Sequence, residues 1–218
     1  MKRILTMLAF VATLAMAAPT LSHAAQGLYI SPKIMLSVYN TGMASREHLS
    51  GFGIGQTSKA AFGASVAAGY DFYPQQNLPL RAELELALRS NASDDWSGRS
   101  GKVESTWNST TSFLNFYWDF HNETAFTPYV GAGLGMAFQY AGYDVKYADG
   151  SKMSMDDRYT TFAWNVGAGM SYAVNENLAV DLGYRFVSMG QHDINQNGTK
   201  VETNPYMNEV NVGARFMF

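Results

Sequence analysis

The sequence predicts an all-β fold: an eight-stranded antiparallel transmembrane β-barrel, with short periplasmic turns at one end and long extracellular loops at the other. Three observations carry this expectation. Apolar and polar residues alternate with a period of two along eight separate segments. The connections between those segments alternate short and long without exception. An export signal precedes the first of them.

The export signal has three parts. Met1-Lys2-Arg3 is a short basic region, Ile4 to Ala18 is apolar, and Pro19 breaks the run. Ser22-His23-Ala24 then offers small residues at the two positions that a signal peptidase reads. Residues 1–24 are therefore expected to be a cleaved signal peptide and 25–218 the barrel domain. A membrane anchor is the rival reading, but an apolar run of roughly 15 residues falls short of the ~20 that a spanning helix needs.

Composition narrows the nature of the mature domain. The sequence contains no cysteine, so an exported domain of this kind is not held by disulfides and must rely on sheet closure or a core. Aromatic residues, at 14%, nearly match charged ones, at 15%, which is unusual for a soluble secreted domain and points to an apolar exterior. No Lys/Arg cluster occurs anywhere in the mature part, which excludes nucleic acid as a partner, since phosphate neutralisation needs a basic patch.

The eight alternating segments are 28–39, 61–73, 80–90, 109–121, 126–140, 159–173, 178–189 and 206–218. In the third, Leu80, Ala82, Leu84, Leu86 and Leu88 alternate with Arg81, Glu83, Glu85, Ala87 and Arg89. A helix would scatter those leucines around its circumference, whereas a strand puts them on one face. The seventh sets Leu178, Val180, Leu182, Tyr184 and Phe186 against Ala179, Asp181, Gly183, Arg185 and Val187. The fourth sets Leu114, Phe116, Trp118 and Phe120 against Asn115, Tyr117, Asp119 and His121. In the fifth and sixth, large apolar residues oppose glycines, among them Gly131, Gly133, Gly135, Gly167 and Gly169.

Alternation alone does not distinguish a soluble sandwich from a membrane barrel. The connections do. Residues 74–79, 122–125 and 174–177 are tight turns, while 40–60, 91–108, 141–158 and 190–205 are longer polar stretches. Transmembrane barrels show this asymmetry and Greek-key sandwiches have no reason to. An open sheet edge in lipid leaves backbone groups unsatisfied, so the strands must close on themselves. Aromatic residues then fall at the two interfaces. Tyr70, Phe72, Phe120, Phe126, Tyr172 and Phe218 are expected at the periplasmic ends, and Tyr39, Phe62, Tyr140, Phe162, Phe186 and Tyr206 at the outer ends.

Three stretches carry a family resemblance. The terminal segment, Val210-Asn211-Val212-Gly213-Ala214-Arg215-Phe216-Met217-Phe218, resembles the signal by which bacterial outer-membrane barrels are recognised for insertion, with Phe216 and Phe218 as its aromatic marks. Pro128-Tyr129-Val130-Gly131-Ala132-Gly133-Leu134-Gly135 resembles the fifth strand of the opacity-protein/surface-antigen family of small outer-membrane barrels. So does Asn165-Val166-Gly167-Ala168-Gly169 followed by Leu178-Ala179-Val180-Asp181-Leu182-Gly183-Tyr184-Arg185-Phe186. The resemblance implies the bacterial outer membrane as location, with outer-membrane lipid and the barrel-insertion machinery as partners and loops that meet an extracellular ligand. It covers adhesins, invasion factors and structural proteins alike.

The face opposite the apolar one gathers Lys33, Asp71, Arg81, Glu83, Glu85, Arg89, Asp119, Asp181, Arg185, Glu209 and Arg215. The signs nearly balance. Asp71 with Arg81, and Asp181 with Arg215, stand at matching distances from tight turns and are expected to pair across strands. This is the expected polar filling of an eight-stranded barrel, whose interior side chains about fill. The glycines of the fifth and sixth segments are expected to make room for large inward neighbours such as Tyr117 and Tyr129, or to leave a little internal space.

Catalytic and cofactor readings find little support. Glu83 and Glu85 could act as an acid–base pair, but two residues apart on a strand they sit side by side on one wall. A lipid-modifying hydrolase would need a nucleophile and base near the outer leaflet; His121 falls at the periplasmic end, and His48 and His192 lie in loops, near Ser50 and Asp193. A phosphate-cradling reading of the Gly131–Gly135 stretch fails because no helix follows. Asp193, Asn195 and Asn197 match the opening of a calcium loop, but the twelfth position is Asn204 instead of a bidentate acid. Asn197-Gly198 reads more simply as a hairpin turn that extends the last two strands above the membrane. No catalytic residue and no cofactor are expected. A surface, adhesive or structural role carried by the loops comes first, a small passive pore second and an outer-membrane enzyme third.

Overall fold

The computed structural model describes residues 26–40, 58–98, 101–147, 152–190, 192–196 and 199–218. The signal-peptide reading of 1–24 lies outside the described residues, as do His48, Ser50 and Asn197. The strands are β1 (Leu28–Asn40), β2 (Ser58–Asp71), β3 (Leu80–Arg89), β4 (Ala92–Gly98), β5 (Gly101–Asp119), β6 (Phe126–Tyr147), β7 (Lys152–Asn175), β8 (Leu178–Ser188), β9 (His192–Gln196), β10 (Thr199–Thr203) and β11 (Tyr206–Met217).

They form one sheet in the order β3-β2-β1-β11-β8-β7-β6-β5-β4, and β3 also pairs with β5. That last pairing closes the ring. Every pair is antiparallel, with β1 joining β11 through Tyr29↔Met217 to Asn40↔Tyr206 and β3 joining β5 through Leu80↔Trp118 to Leu88↔Thr110. Eight strands thus make an up-and-down barrel, and β4 continues the line of β3 beyond it, against the outer part of β5. Closure satisfies each strand on both edges, which is what a lipid environment demands.

The two faces carry opposite chemistry. On β3, Leu84 is 61% exposed while its neighbour Glu85 is 1% exposed; on β6, Leu134 is again 61% exposed. The outward surface is a continuous apolar coat that includes Ile34, Phe116, Trp118, Leu134, Phe162, Val166 and Leu182. A coat of that extent is not stable against water in a monomer, and hydrocarbon solvates it. An ordinary soluble protein is here turned inside out.

The structure differs from the sequence-based expectation in four places, each for a local reason. First, β2 ends at Asp71, and Tyr73–Gln76 forms a single helical turn, α1, with proline in its opening positions and Asn77 at φ 53° closing it. Proline's fixed φ suits a helix start, and asparagine tolerates the left-handed conformation. Second, the connections 91–108 and 141–158 are largely strand. β5, β6 and β7 run on together as far as Gly101↔Tyr147 and Lys146↔Lys152, with β4 alongside. They alternate only in short runs, such as Tyr143, Val145 and Tyr147 against Asp144 and Lys146, and their polar content makes them read as loop in the sequence.

Third, the hairpin around 197–198 is present in its pairing, Gln196↔Thr199 to Thr203↔His192, but β9 and β10 form a separate ribbon and do not extend β8 and β11. Gly190, at φ 76°, is where the chain leaves β8; a side chain there would meet the Phe162 carbonyl. Fourth, Tyr39 does not join the outer aromatic girdle. It falls on the inward parity of β1 with Met35 and Ser37 and packs inside the barrel.

Candidate functional site: the barrel interior

Inward-facing positions of the strands supply a packed polar lumen. Its centre is a chain of ion pairs. Lys33 Nζ of β1 donates to Glu83 Oε1 and to Glu85 Oε2 of β3, the second bond at 2.9 Å. The other oxygen of Glu85 meets Arg185 Nη1 of β8 at 2.7 Å. Arg185 Nε then donates to Glu209 Oε2 of β11 at 2.6 Å, and Arg89 Nε of β3 donates to Glu209 Oε1 at 2.7 Å. Signs alternate along the whole chain, and the side chains of Arg89 and Glu209 are fully buried.

The geometry follows from the strand order. β3 and β8 stand on opposite walls of the ring, four steps apart in either direction. The Glu85–Arg185 contact therefore crosses the lumen. Ser37 Oγ donates to Glu209 and Thr111 Oγ1 accepts from Arg89, and Tyr29 and Tyr117 both donate to Glu83. Buried charge is tolerable only when paired and hydrogen-bonded on this scale.

Two further pairs lie toward the periplasmic end. Arg81 forks onto both oxygens of Asp119, at 2.6 and 2.8 Å, with its guanidinium over the Tyr117 and Tyr129 rings. Arg215 reaches Ser171 Oγ at 2.7 Å and Asp181 at 3.4 Å. The Asp181–Arg215 contact is the pairing expected from turn distances. Asp71 with Arg81 is not: they are in register, but Arg81 turns to Asp119 and Asp71 caps the Tyr73 N–H at 2.9 Å. Asp71 sits at the rim, where the backbone of α1 offers it a donor, while Asp119 offers Arg81 a two-oxygen fork in the buried interior.

The inward glycines are sockets for large neighbours. A side chain at Gly131 would strike the Tyr117 ring, one at Gly169 or Gly183 would strike Tyr129, and one at Gly135 would strike Phe113. Asn165 donates to Asn115 at 2.9 Å across Gly133, between strands that are not neighbours. The space that glycine opens on β6 and β7 is thus filled by side chains from beside it.

Above the ion chain lies an apolar layer of Phe113, Ala137, Ala163, Val187, Met189 and Met207, with Tyr39 against it. Met189 is held by Ser109 Oγ at its sulfur and by Thr161 at its carbonyl. Sequence reasoning misses this layer. Its signal is parity: Val187 and Met207 continue the inward series of Arg185 and Glu209, and are in register with each other.

The remaining site expectations are dispersed. His121 stacks on Tyr73 at 3.7 Å between centroids, exposed at the periplasmic rim, at the opposite end from the β9–β10 ribbon that carries His192. Asp193 and Asn195 lie on β9, whose partner is a strand and not a helix. Phe216 and Phe218 lie at the C-terminal end of β11; Phe216 pairs with Ile30, and the Phe218 N–H bonds the Leu28 carbonyl at 3.0 Å.

A closed ring of strands with an apolar exterior, an ion-paired interior and length added at one end only defines an integral β-barrel protein of the bacterial outer membrane. The chain belongs to the outer membrane protein beta-barrel domain family, which it matches over residues 8–218. Outer membrane protein PagN of Salmonella typhimurium is 32% identical over 192 residues, covering 81% of this chain and 80% of that protein. Among solved structures, a major outer membrane protein from Thermus thermophilus aligns with a TM-score of 0.50 at 13% identity, over 86% of this chain and 99% of that one. Neisserial surface protein A aligns with a TM-score of 0.49 at 22% identity, over 90% of this chain and 100% of that one.

Proposed function

We propose that this is a non-enzymatic surface protein, in which the barrel is a rigid, plugged pedestal and the outer connections perform attachment or organise the cell surface. The observation that carries the reading is the ion chain from Lys33 to Arg89, whose Glu85–Arg185 contact bridges opposite walls. With the lumen filled by charge pairs, glycine-socketed rings and an apolar layer, the chemistry left for function is what the barrel raises above the membrane. That includes the outer parts of β5, β6 and β7 with β4 beside them, and the β9–β10 ribbon. Loops held on a rigid scaffold are the usual carriers of binding.

The enzyme reading loses its best carboxylates, since Glu83 and Glu85 share Lys33 and both are buried. The pore reading loses its motive, since the glycine wall is occupied by Tyr117, Tyr129, Phe113 and Asn115. Phe216 and Phe218, at the C-terminal end of β11, are assigned to recognition by the insertion machinery.

The test is display in a non-adherent bacterial host. Intact protein is expected to confer binding to abiotic or cellular surfaces. Variants whose outer connections are replaced by short turns, with heat-dependent gel migration confirming a closed barrel, are expected to lose it. Binding that survives replacement of all four outer connections would overturn the proposal.

A further inference from the structure

We propose that the outward rim of β5, β6 and β7 is a binding site for the phosphate-bearing headgroup of an outer-leaflet lipid, with Arg158 as its cation. Of the lysines and arginines whose side chains are described, Arg158 alone is exposed. The cations Lys33, Arg81, Arg89, Arg185 and Arg215 are buried in the lumen. Arg158 follows the outward series Trp164, Phe162 and Thr160 on β7, so it stands on the lipid side, one step above the apolar coat.

Its surroundings are arranged for a headgroup. Asn108, Tyr140 and Arg158 are register partners across three adjacent strands. Directly below them, in the same way, come Thr110, Phe138 and Thr160. The guanidinium lies 5.4 Å from the centre of the Tyr140 ring, which holds it against the wall. Asn108 is pinned by donating to the Arg89 carbonyl at 3.0 Å and to Asn91 Oδ1 at 2.9 Å. At about 4.8 Å per strand, the row from Asn108 to Arg158 spans roughly 10 Å, the width of a phosphorylated sugar headgroup.

Charge singles out the ligand. Among the residues whose side chains are described, no carboxylate pairs with Arg158, and the exposed carboxylates of that set, Glu123 and Glu176, sit in the turns at the opposite end of the barrel. A cation on the wall at headgroup height, with acyl-chain contacts such as Phe138 and Phe162 immediately below, fits an anionic lipid whose chains lie along the coat. This site is independent of what the loops bind.

The experiment uses the refolded full-length mature protein in detergent with bisphosphorylated lipid A, fully dephosphorylated lipid A, or inorganic phosphate, and native mass spectrometry to count retained lipid. The protein is expected to retain the phosphorylated lipid about fivefold better than the dephosphorylated one, the effect of roughly one interfacial cation. Arg158→Gln is expected to abolish the preference and Arg158→Lys to keep part of it, with heat-dependent gel migration confirming closure of each. Millimolar inorganic phosphate is expected not to displace the lipid; displacement would make this a free-anion site and overturn the lipid assignment. Equal retention of both lipids by the unaltered protein, or a preference that survives Arg158→Gln, would also overturn it.

Discussion

Glu85 of β3 and Arg185 of β8 meet at 2.7 Å although their strands stand on opposite walls of the barrel. Arg185 is shared with Glu209, which in turn holds Arg89 back on β3. The lumen is thus tied across its width twice, and the ties have mechanical and electrical consequences that can be measured separately.

Glu209 is the node of that network, so Glu209→Ala is expected to leave two buried guanidiniums short of a partner. The expected loss is about 3–5 kcal/mol, the range for breaking a buried pair on one side. Urea-dependent unfolding of the protein in lipid vesicles reads it directly. A loss below about 1 kcal/mol would mean that Arg89 and Arg185 find other acceptors and the network is not cooperative.

Planar-bilayer recording addresses the same residues electrically. The unaltered protein is expected to give no steady channel events. A variant carrying Glu85→Ala, Arg185→Ala and Glu209→Ala is expected to conduct, because the side chains that cross the lumen are gone. Steady events from the unaltered protein would promote the pore over the plugged pedestal.

Gly133 tests the socket arrangement. A methyl group there meets Asn115 Oδ1 and Asn165 Nδ2, both side-chain atoms, so Gly133→Ala is expected to cost about 1–3 kcal/mol through overpacking. Adding Asn115→Ala is expected to recover more than half of that loss in the same unfolding assay. Failure of the rescue would place the conflict in the backbone instead.

The lipid face is tested by depth. Leu134→Arg, at a 61% exposed position within the apolar coat, is expected to cost about 2–4 kcal/mol in vesicles. Phe62→Arg, 72% exposed near the outer rim, is expected to cost about 0–1 kcal/mol. Equal, small effects at both positions would be the signature of a water-facing surface and would contradict the membrane placement.

Much of this architecture is legible in the residues alone. Strand parity is strictly two, so one apolar series such as Leu80 to Leu88 declares which side chains share a face, and the lengths of the connections declare which end bears the loops. The inward set of charges follows from the same rule, and so does the use of glycine beside Tyr117 and Tyr129. The outer parts of β5, β6 and β7 are hidden because their alternation comes in short runs, such as Tyr143, Val145 and Tyr147, set among polar residues that read as loop.

What parity cannot supply is which inward residues touch. Contact across a lumen depends on strand order around the ring, on shear and on where each strand ends, and none of these is local in sequence. Arg81 choosing Asp119 over Asp71, Tyr39 turning in against the apolar layer, and Glu85 reaching Arg185 from the far wall were decided by the closed barrel. The faces, the ends and the inventory of charge can be read from the residues, because those depend on the period of a single strand. The partners are set by the closed ring, because a buried charge takes the oxygen or nitrogen that ring closure brings nearest.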